Sequence, residues 1–391
     1  PLMLVNWADL SAEEQHELSD FYADQVFPIL TPLAVDPGHP FPYISTLSLN
    51  LGMMIADPSS GIRRFARVKV PTDLLGRHVY LGAKAVPLEQ IIAANLDQLM
   101  PGVDIIERTV FRVTRNADIS VNADTLDDHD DDLLTAVESE LRRRRFGEVV
   151  RVEIDKTASI ELRNILASEL DVEDDVFFDV DGIVDLASYA NIDKLVTGRD
   201  GFSLKPMGPR TPKEFANIGS PDELFARIRK NDILVHHPYD SFDDSVLAFI
   251  NAAADDPNTQ AIKMTMYRMS GDGLIVEALV RAAEAGKQVV VVVELKARFD
   301  EAANISWARR LERAGVHVAY GFVSLKIHTK TCLVIRREEN KLARYCHFGT
   351  GNYNARTARL YTDIGLFTSN KDFGADLSAL FNSLTGFHVP V

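Results

Sequence analysis

Residues 261–295, AIKMTMYRMSGDGLIVEALVRAAEAGKQVVVVVEL, decide the fold of the second half of this chain. Ala261 to Tyr267 read as a strand, and Leu274 to Ala285 repeat apolar residues at helical spacing before stopping at Gly286, a residue suited to a left-handed helix end. Val289 to Leu295 form a continuous apolar run of strand length. Outward from this stretch, a helix is expected from about Glu301 to Ala314, closed by Gly315, and then a strand from Val316 to Tyr320. The order βαβαβ predicts a parallel sheet. Right-handed crossovers then bring the strand ends Tyr267-Arg268 and Leu295 to Arg298 to one carboxyl edge, where ligands of open α/β sheets sit. Arg268 and Arg298 are therefore candidate anion ligands, because a guanidinium grips phosphate through charge-assisted bonds worth roughly 1.5–3 kcal/mol each.

Further along, Lys330 to Arg336 and Leu342 to Phe348, separated by the polar turn Arg337 to Lys341, predict a hairpin. It carries His328 at its start and His347 near its end, followed by the glycine-rich polar turn Gly349-Thr350-Gly351-Asn352-Tyr353-Asn354. A histidine has an ordinary pKa of about 6.5, so near neutral pH a free ring nitrogen is available to attack phosphorus and hold a phosphoryl group. Lys330, two residues on, falls on the same strand face and would neutralise phosphate charge. A lone H-x-K is common by chance; its neighbours give it weight. Asn352 joins the candidate contacts from that turn. Two roles stand open for His347: a hydrogen bond to the loop, or assistance with proton transfer. Tyr361 has two as well, packing its loop or contacting a nucleotide or phosphate. His236 and His237 lack cysteines or carboxylates at metal-ligand spacing, so structural roles are expected, with Asp240 or Ser241 capping the next helix.

With 391 residues, two domains are the default. No apolar run approaches the roughly eighteen residues of a membrane span, and Pro1-Leu2-Met3-Leu4 does not resemble the start of an export signal. Cys332 and Cys346 make at most one bridge, which points to a reducing cytoplasm, although peripheral membrane association would leave no trace in the sequence. The formal net charge of −15 argues against a general nucleic-acid binder, so any polyanion must meet a local basic site. One basic run, Arg142 to Arg145, follows the acidic run Asp127 to Asp132. A helix from about Asp131 to Arg145 with charges complementing its dipole explains both, and a polyanion-facing patch is the other reading. Starting at a proline and ending at Val391, the chain reads as a piece of something longer.

The first half is expected to be α+β. A helix from Ser11 to Phe27 would have Ser11 as N-cap and Glu14 completing a capping box. Strands are expected around Phe65 to Val70, Val110 to Val113 and Val149 to Ile154, and helices over Leu88 to Leu99 and Leu133 to Arg145. Pro206, Pro209, Pro212 and Pro221 mark a domain boundary near Pro209, giving domains 1–210 and 211–391.

Taken together, HHPYDSF, AIKMTMYRMS, LKIHTKT and HFGTGNYNARTARLYTDIGLFT, with LTPLAVDPGHPFPYIS and ELRRRRFGEVVRVE in the first half, resemble the type 1 polyphosphate kinase family over nearly the whole chain. The resemblance implies a head domain followed by a phospholipase D-like α/β domain with a mixed sheet flanked by helices. The family's N-terminal domain and its last catalytic domain are expected to be absent. It implies an ATP:polyphosphate phosphotransferase that moves the terminal phosphate of ATP reversibly onto inorganic polyphosphate through a phosphohistidine, with His328 as nucleophile. Arg268 and Arg298 match the family's paired arginines at the magnesium-phosphate site; a guanidinium has no lone pair for Mg²⁺, so they are read as phosphate clamps. Tyr361 matches a tyrosine associated with ATP. Partners implied are ATP/ADP, polyphosphate and further copies of the chain, as a dimer or tetramer, in the cytoplasm or at the inner membrane face. The phospholipase D pattern H-x-K-x₄-D would place an aspartate where Ile335 stands, which weakens the competing reading as a phosphodiesterase or nuclease. A non-catalytic polyphosphate-binding or dimerisation fragment is the third reading.

Overall fold

The computed structural model describes residues 2–36, 38–117, 133–143, 146–194, 207–268, 273–295, 297, 300–321 and 326–386. The chain divides into two compact units, Pro1–Ala117 with Arg144–Leu204, and Asp118–Arg143 with Lys205–Val391. The described stretch 133–143 groups with the second unit, so neither unit is continuous in sequence.

The first unit is α+β. Its six-stranded sheet has the order Leu33–Ala34, Arg63–Lys69, Leu49–Ala56, Asp104–Arg115, Val149–Asp155, Phe177–Val180. Both faces are buried by alternation. Leu49, Leu51, Met53 and Ile55 pack with Leu18, Tyr22 and Ile91 on one side, while Met54, Phe65 and Phe111 pack with Leu162 and Leu166 on the other. The first helix, Ala12–Phe21, is capped as its sequence predicts: Ser11 Oγ accepts from Glu14 N and the Glu14 carboxylate accepts from Ser11 N. It stops short of Phe27, widening into a π-turn over Tyr22–Val26. Likewise the helix expected over 88–99 breaks at Asn95, whose side chain bonds back to Ile91 O. Helix Leu133–Arg143 forms, while the acidic run 127–132 and Arg144-Arg145 lie outside the described residues.

The second unit is built on a mixed seven-stranded sheet, with strands β1 Ile233–His237, β2 Thr259–Met266, β3 Gln288–Val293, β4 His317–Tyr320, β5 Lys330–Glu338, β6 Lys341–Gly349 and β7 Asp363–Thr368. Their order across the sheet is β1-β7-β6-β5-β2-β3-β4. The expected βαβαβ is present: β2, β3 and β4 pair in parallel, linked by helices α1 Leu274–Glu284 and α2 Glu301–Arg313. Gly286 and Gly315, at φ 81° and 83°, follow those helices. The hairpin forms as β5 and β6. Two strands, β1 and β7, were not expected from sequence, and β7 sits inside the sheet. One sheet face packs on α1, α2 and the helices Pro221–Lys230 and Ala248–Asp255, the other on α3 Lys371–Gly386. Cys332 is buried in the first of these cores and Cys346 in the second, so the sheet itself separates the two thiols and both are free. The single bridge that sequence allowed does not form. Among the described residues no helix is long and apolar enough to cross a membrane.

Candidate active site

Seven strand ends meet at one edge of this sheet. The carboxyl ends of β2, β3 and β4 share it because those strands are parallel; β5 runs antiparallel to β2, with Met264 opposite Cys332, and so begins there. The hairpin returns β6 to the same edge, placing Gly349 opposite Lys330. Pairing of Gly349 with Gly365 and of His237 with Asp363 adds the start of β7 and the end of β1. Topology thus gathers His328, Lys330, Tyr267, Arg268 and the Gly349 to Asn352 turn along one rim.

His328 is exposed and Lys330 is buried. The Lys330 Nζ lies 3.1 Å from His328 Nδ1 and donates to the backbone oxygen of His328 at 2.6 Å. Tyr267 meets the imidazole edge-on at 5.2 Å between ring centroids, and Lys330 Nζ stands 5.4 Å from the centre of the same ring. Burial lowers the Lys330 pKa from its ordinary value, opposed by the nearby Asp363 carboxylate. The ammonium is therefore poorly solvated and close to the ring it accompanies.

Of three polar residues that sequence reading did not single out, two hold this segment by its backbone and the third ties the neighbouring strand ends. Ile327 N donates to Glu294 Oε2 at 2.8 Å. Thr265 Oγ1 donates to Thr329 O at 2.8 Å and accepts from Thr331 N at 3.0 Å. Asn304 Nδ2, on α2, donates to Tyr267 O at 2.8 Å and Glu294 O at 3.0 Å, tying the ends of β2 and β3 together. Glu294 is only 3% exposed, and a buried carboxylate needs such partners. Their sequence signal is a polar residue closing an apolar strand run, as Glu294 closes Val289 to Val293.

Arg268 reaches the rim half-buried and is ion-paired with Asp300 at the start of α2. Arg298 lies outside the described residues. Tyr361, just ahead of β7, is 64% exposed, so its ring does not pack the loop. Asn352 instead lines a small enclosed space with His237 and His347. His347 is fully enclosed. Its Nδ1 is 2.7 Å from Tyr353 Oη, and burial, with His237 adding a second effect, pushes its pKa down to about 3, leaving a neutral ring. A Cβ at Gly365 would stand 2.8 Å from His347 Nε2, so β7 needs glycine opposite this ring. His237 Nδ1 lies 2.9 Å from Asp240 O, and Asp240 Oδ2 accepts from His236 N at 2.8 Å. Ser241 Oγ accepts from Asp244 N at 3.1 Å, as a cap does. Among the described residues no group of three or more His, Cys, Asp or Glu side chains is placed to hold a metal ion.

This mixed seven-stranded sheet with helices on both faces, carrying a histidine, a lysine and an arginine on one rim, defines an α/β domain. Two family models match: polyphosphate kinase middle domain over residues 13–192 and polyphosphate kinase C-terminal domain 1 over residues 223–390. The chain belongs to the polyphosphate kinase family. The polyphosphate kinase of Mycolicibacterium gilvum (strain PYR-GCK) is 52% identical over 394 residues, covering 99% of this chain and 53% of the relative. That of Mycobacterium avium (strain 104) is 53% identical over 397 residues, covering 98% and 53%. The crystal structure of polyphosphate kinase from Porphyromonas gingivalis superposes with a TM-score of 0.77 at 27% identity, over 97% of this chain and 55% of that one. The chain spans about half the length of these relatives.

Proposed function

We propose that this chain carries the phosphoryl-accepting part of an ATP:polyphosphate phosphotransferase, with His328 as the residue phosphorylated. The observation that carries the reading is the exposed His328 imidazole with the Lys330 ammonium 3.1 Å from its Nδ1, on a rim shared with Arg268. A ring nitrogen of His328 attacks the terminal phosphorus of ATP, forming an N–P bond as the bridging P–O bond breaks and ADP leaves with its electron pair. A terminal polyphosphate oxygen then takes the phosphoryl group and frees the ring, and the reverse sequence regenerates ATP. Lys330 and Arg268 offset the phosphate charge, while Glu294 and Thr265 keep the histidine segment in place. The protein's share is positioning and electrostatics.

The rim lacks a carboxylate cage among its described residues, which fits Mg²⁺ arriving on the nucleotide phosphates rather than as a resident ion. When bound there it neutralises phosphate charge. Arg268 and Arg298 are proposed as phosphate clamps near it, and Tyr361 and Asn352 as nucleotide or phosphate contacts. His347, enclosed and neutral, is proposed to support the loop through Tyr353 rather than to carry a proton to substrate. A cytoplasmic home and self-association as a dimer or tetramer, with peripheral contact at the inner membrane face, complete the reading.

The test is incubation of the chain with Mg²⁺ and γ-labelled ATP. Acid-labile, base-stable label in the wild type and none in His328→Ala is expected. Equal label in both chains would sink the assignment.

A further inference from the structure

The opposite end of the sheet holds a second concave surface. β5 runs nine residues from Lys330 to Glu338, so this end lies about 26 Å from the His328 rim at roughly 3.3 Å per residue. A cavity of about 540 Å³ opens there, lined by Arg229, Lys341, Arg344 and Lys371 against Glu338 and Glu339. Four cations against two carboxylates leave two positive charges in a chain whose formal net charge is −15.

Glu338, one of the two carboxylates, is already engaged. Glu338 accepts from Arg229 Nη1, Arg336 Nη1 and Tyr345 Oη, each at 2.6 Å. Lys341, Arg344 and Lys371 make no ion pair with any described residue, whereas Arg229 and Arg336 each do. Arg344 also has a built seat. Its stem lies over Gly374 in the first turn of α3, where an added Cβ would come within 2.9 Å of Arg344 Cβ. Glycine inside a helix costs about 1 kcal/mol relative to alanine, and here its missing side chain is the space that sets the arginine's position. Lys371, the first residue of α3, is on the same cavity wall, and the start of this sixteen-residue helix adds its partial positive charge.

We infer that this cavity is a second anion site that binds an oligophosphate, meaning two or more linked phosphates, remote from the reacting histidine. Lys341 and Arg344 stand three residues apart on β6, about 10 Å at roughly 3.3 Å per residue, a spacing that suits linked phosphates better than a single one. The inference goes beyond the proposed function and does not rest on it.

Calorimetric titration with tripolyphosphate at fixed ionic strength tests the site. The variant Lys341→Gln/Arg344→Gln/Lys371→Gln is expected to lose about tenfold or more in affinity, as removal of charge-assisted bonds implies. Lys330→Gln, which alters only the other rim, is expected to retain this binding. Gly374→Ala keeps every charge but displaces Arg344, and is expected to weaken binding with its fold intact by circular dichroism. Unchanged affinity in both the triple variant and Gly374→Ala overturns the inference. So does equal displacement by sulfate, which would reveal general charge attraction alone. Titration with ADP of the wild type and of the triple variant distinguishes sources: counting only the binding that the triple variant loses, tighter tripolyphosphate identifies an inorganic chain and tighter ADP a nucleotide, while no loss with either ligand overturns the inference.

Discussion

Lys330 Nζ grips His328 twice, at the ring nitrogen Nδ1 and at the backbone oxygen. Because an ammonium only donates, Nδ1 is the acceptor and the neutral ring carries its proton on Nε2, so Lys330 would have to turn from Nδ1 to the incoming phosphate to free that lone pair for attack. The ammonium's poor solvation makes it a stronger partner for an oxyanion than a surface lysine, since the competing water is already gone. Lys330→Met is expected to reduce labelling of His328 by γ-labelled ATP on the order of 10²-fold. Lys330→Arg should restore part of it. A Met variant labelled at the wild-type rate would remove Lys330 from the reaction.

Glu294 works one residue upstream of the histidine. Its Oε2 is the acceptor for Ile327 N in buried surroundings, so Glu294→Ala leaves that donor without a partner at a cost of about 1–3 kcal/mol. Glu294→Gln keeps an acceptor and should cost less. Urea unfolding gives the stability difference, and hydrogen exchange at Ile327 locates it: faster exchange there in the alanine variant is expected, and unchanged exchange would refute the clamp.

Gly365 offers a sharper steric test. A methyl group at this position meets His347 Nε2 at 2.8 Å and Val235 Cγ2 at 2.9 Å, both inside packed structure. Gly365→Ala is expected to destabilise the second unit by roughly 1–3 kcal/mol through overpacking. Thermal unfolding that matches wild type would show that the β1-β7-β6 region yields more easily than its geometry indicates.

The same glycine explains what sequence could and could not reveal. The βαβαβ was legible because Gly286 and Gly315 close two amphipathic helices between apolar runs, and each signal is local. β7 was not, because Asp363-Ile364-Gly365-Leu366 carries a glycine inside a strand, a residue that weakens strand propensity and earns its place only through His347 on the neighbouring strand. Of the candidate site, His328, Lys330 and Arg268 were legible from residue type and strand position. Thr265, Glu294 and Asn304 were not, because they act on backbone groups brought together by the sheet from positions up to 66 residues apart. No spacing rule records such a contact.

Enclosure of His347 predicts a dependence on acid. Its pKa is about 3 in the folded chain against about 6.5 unfolded, so between those values the unfolded state holds the extra proton. Folding is then favoured fully above pH 6.5, and stability falls as pH drops from there towards 3, by at most roughly 5 kcal/mol from this group. Carboxylates contribute their own acid dependence, so the comparison must be between variants. His347→Gln has no proton to gain in this range, and its stability relative to wild type should rise steadily as urea midpoints are measured from pH 7 down to pH 4. Parallel curves for the two chains would mean that the His347 ring is solvated or charged in the native state, contrary to the enclosure formed by Tyr353, Phe367 and Gly365.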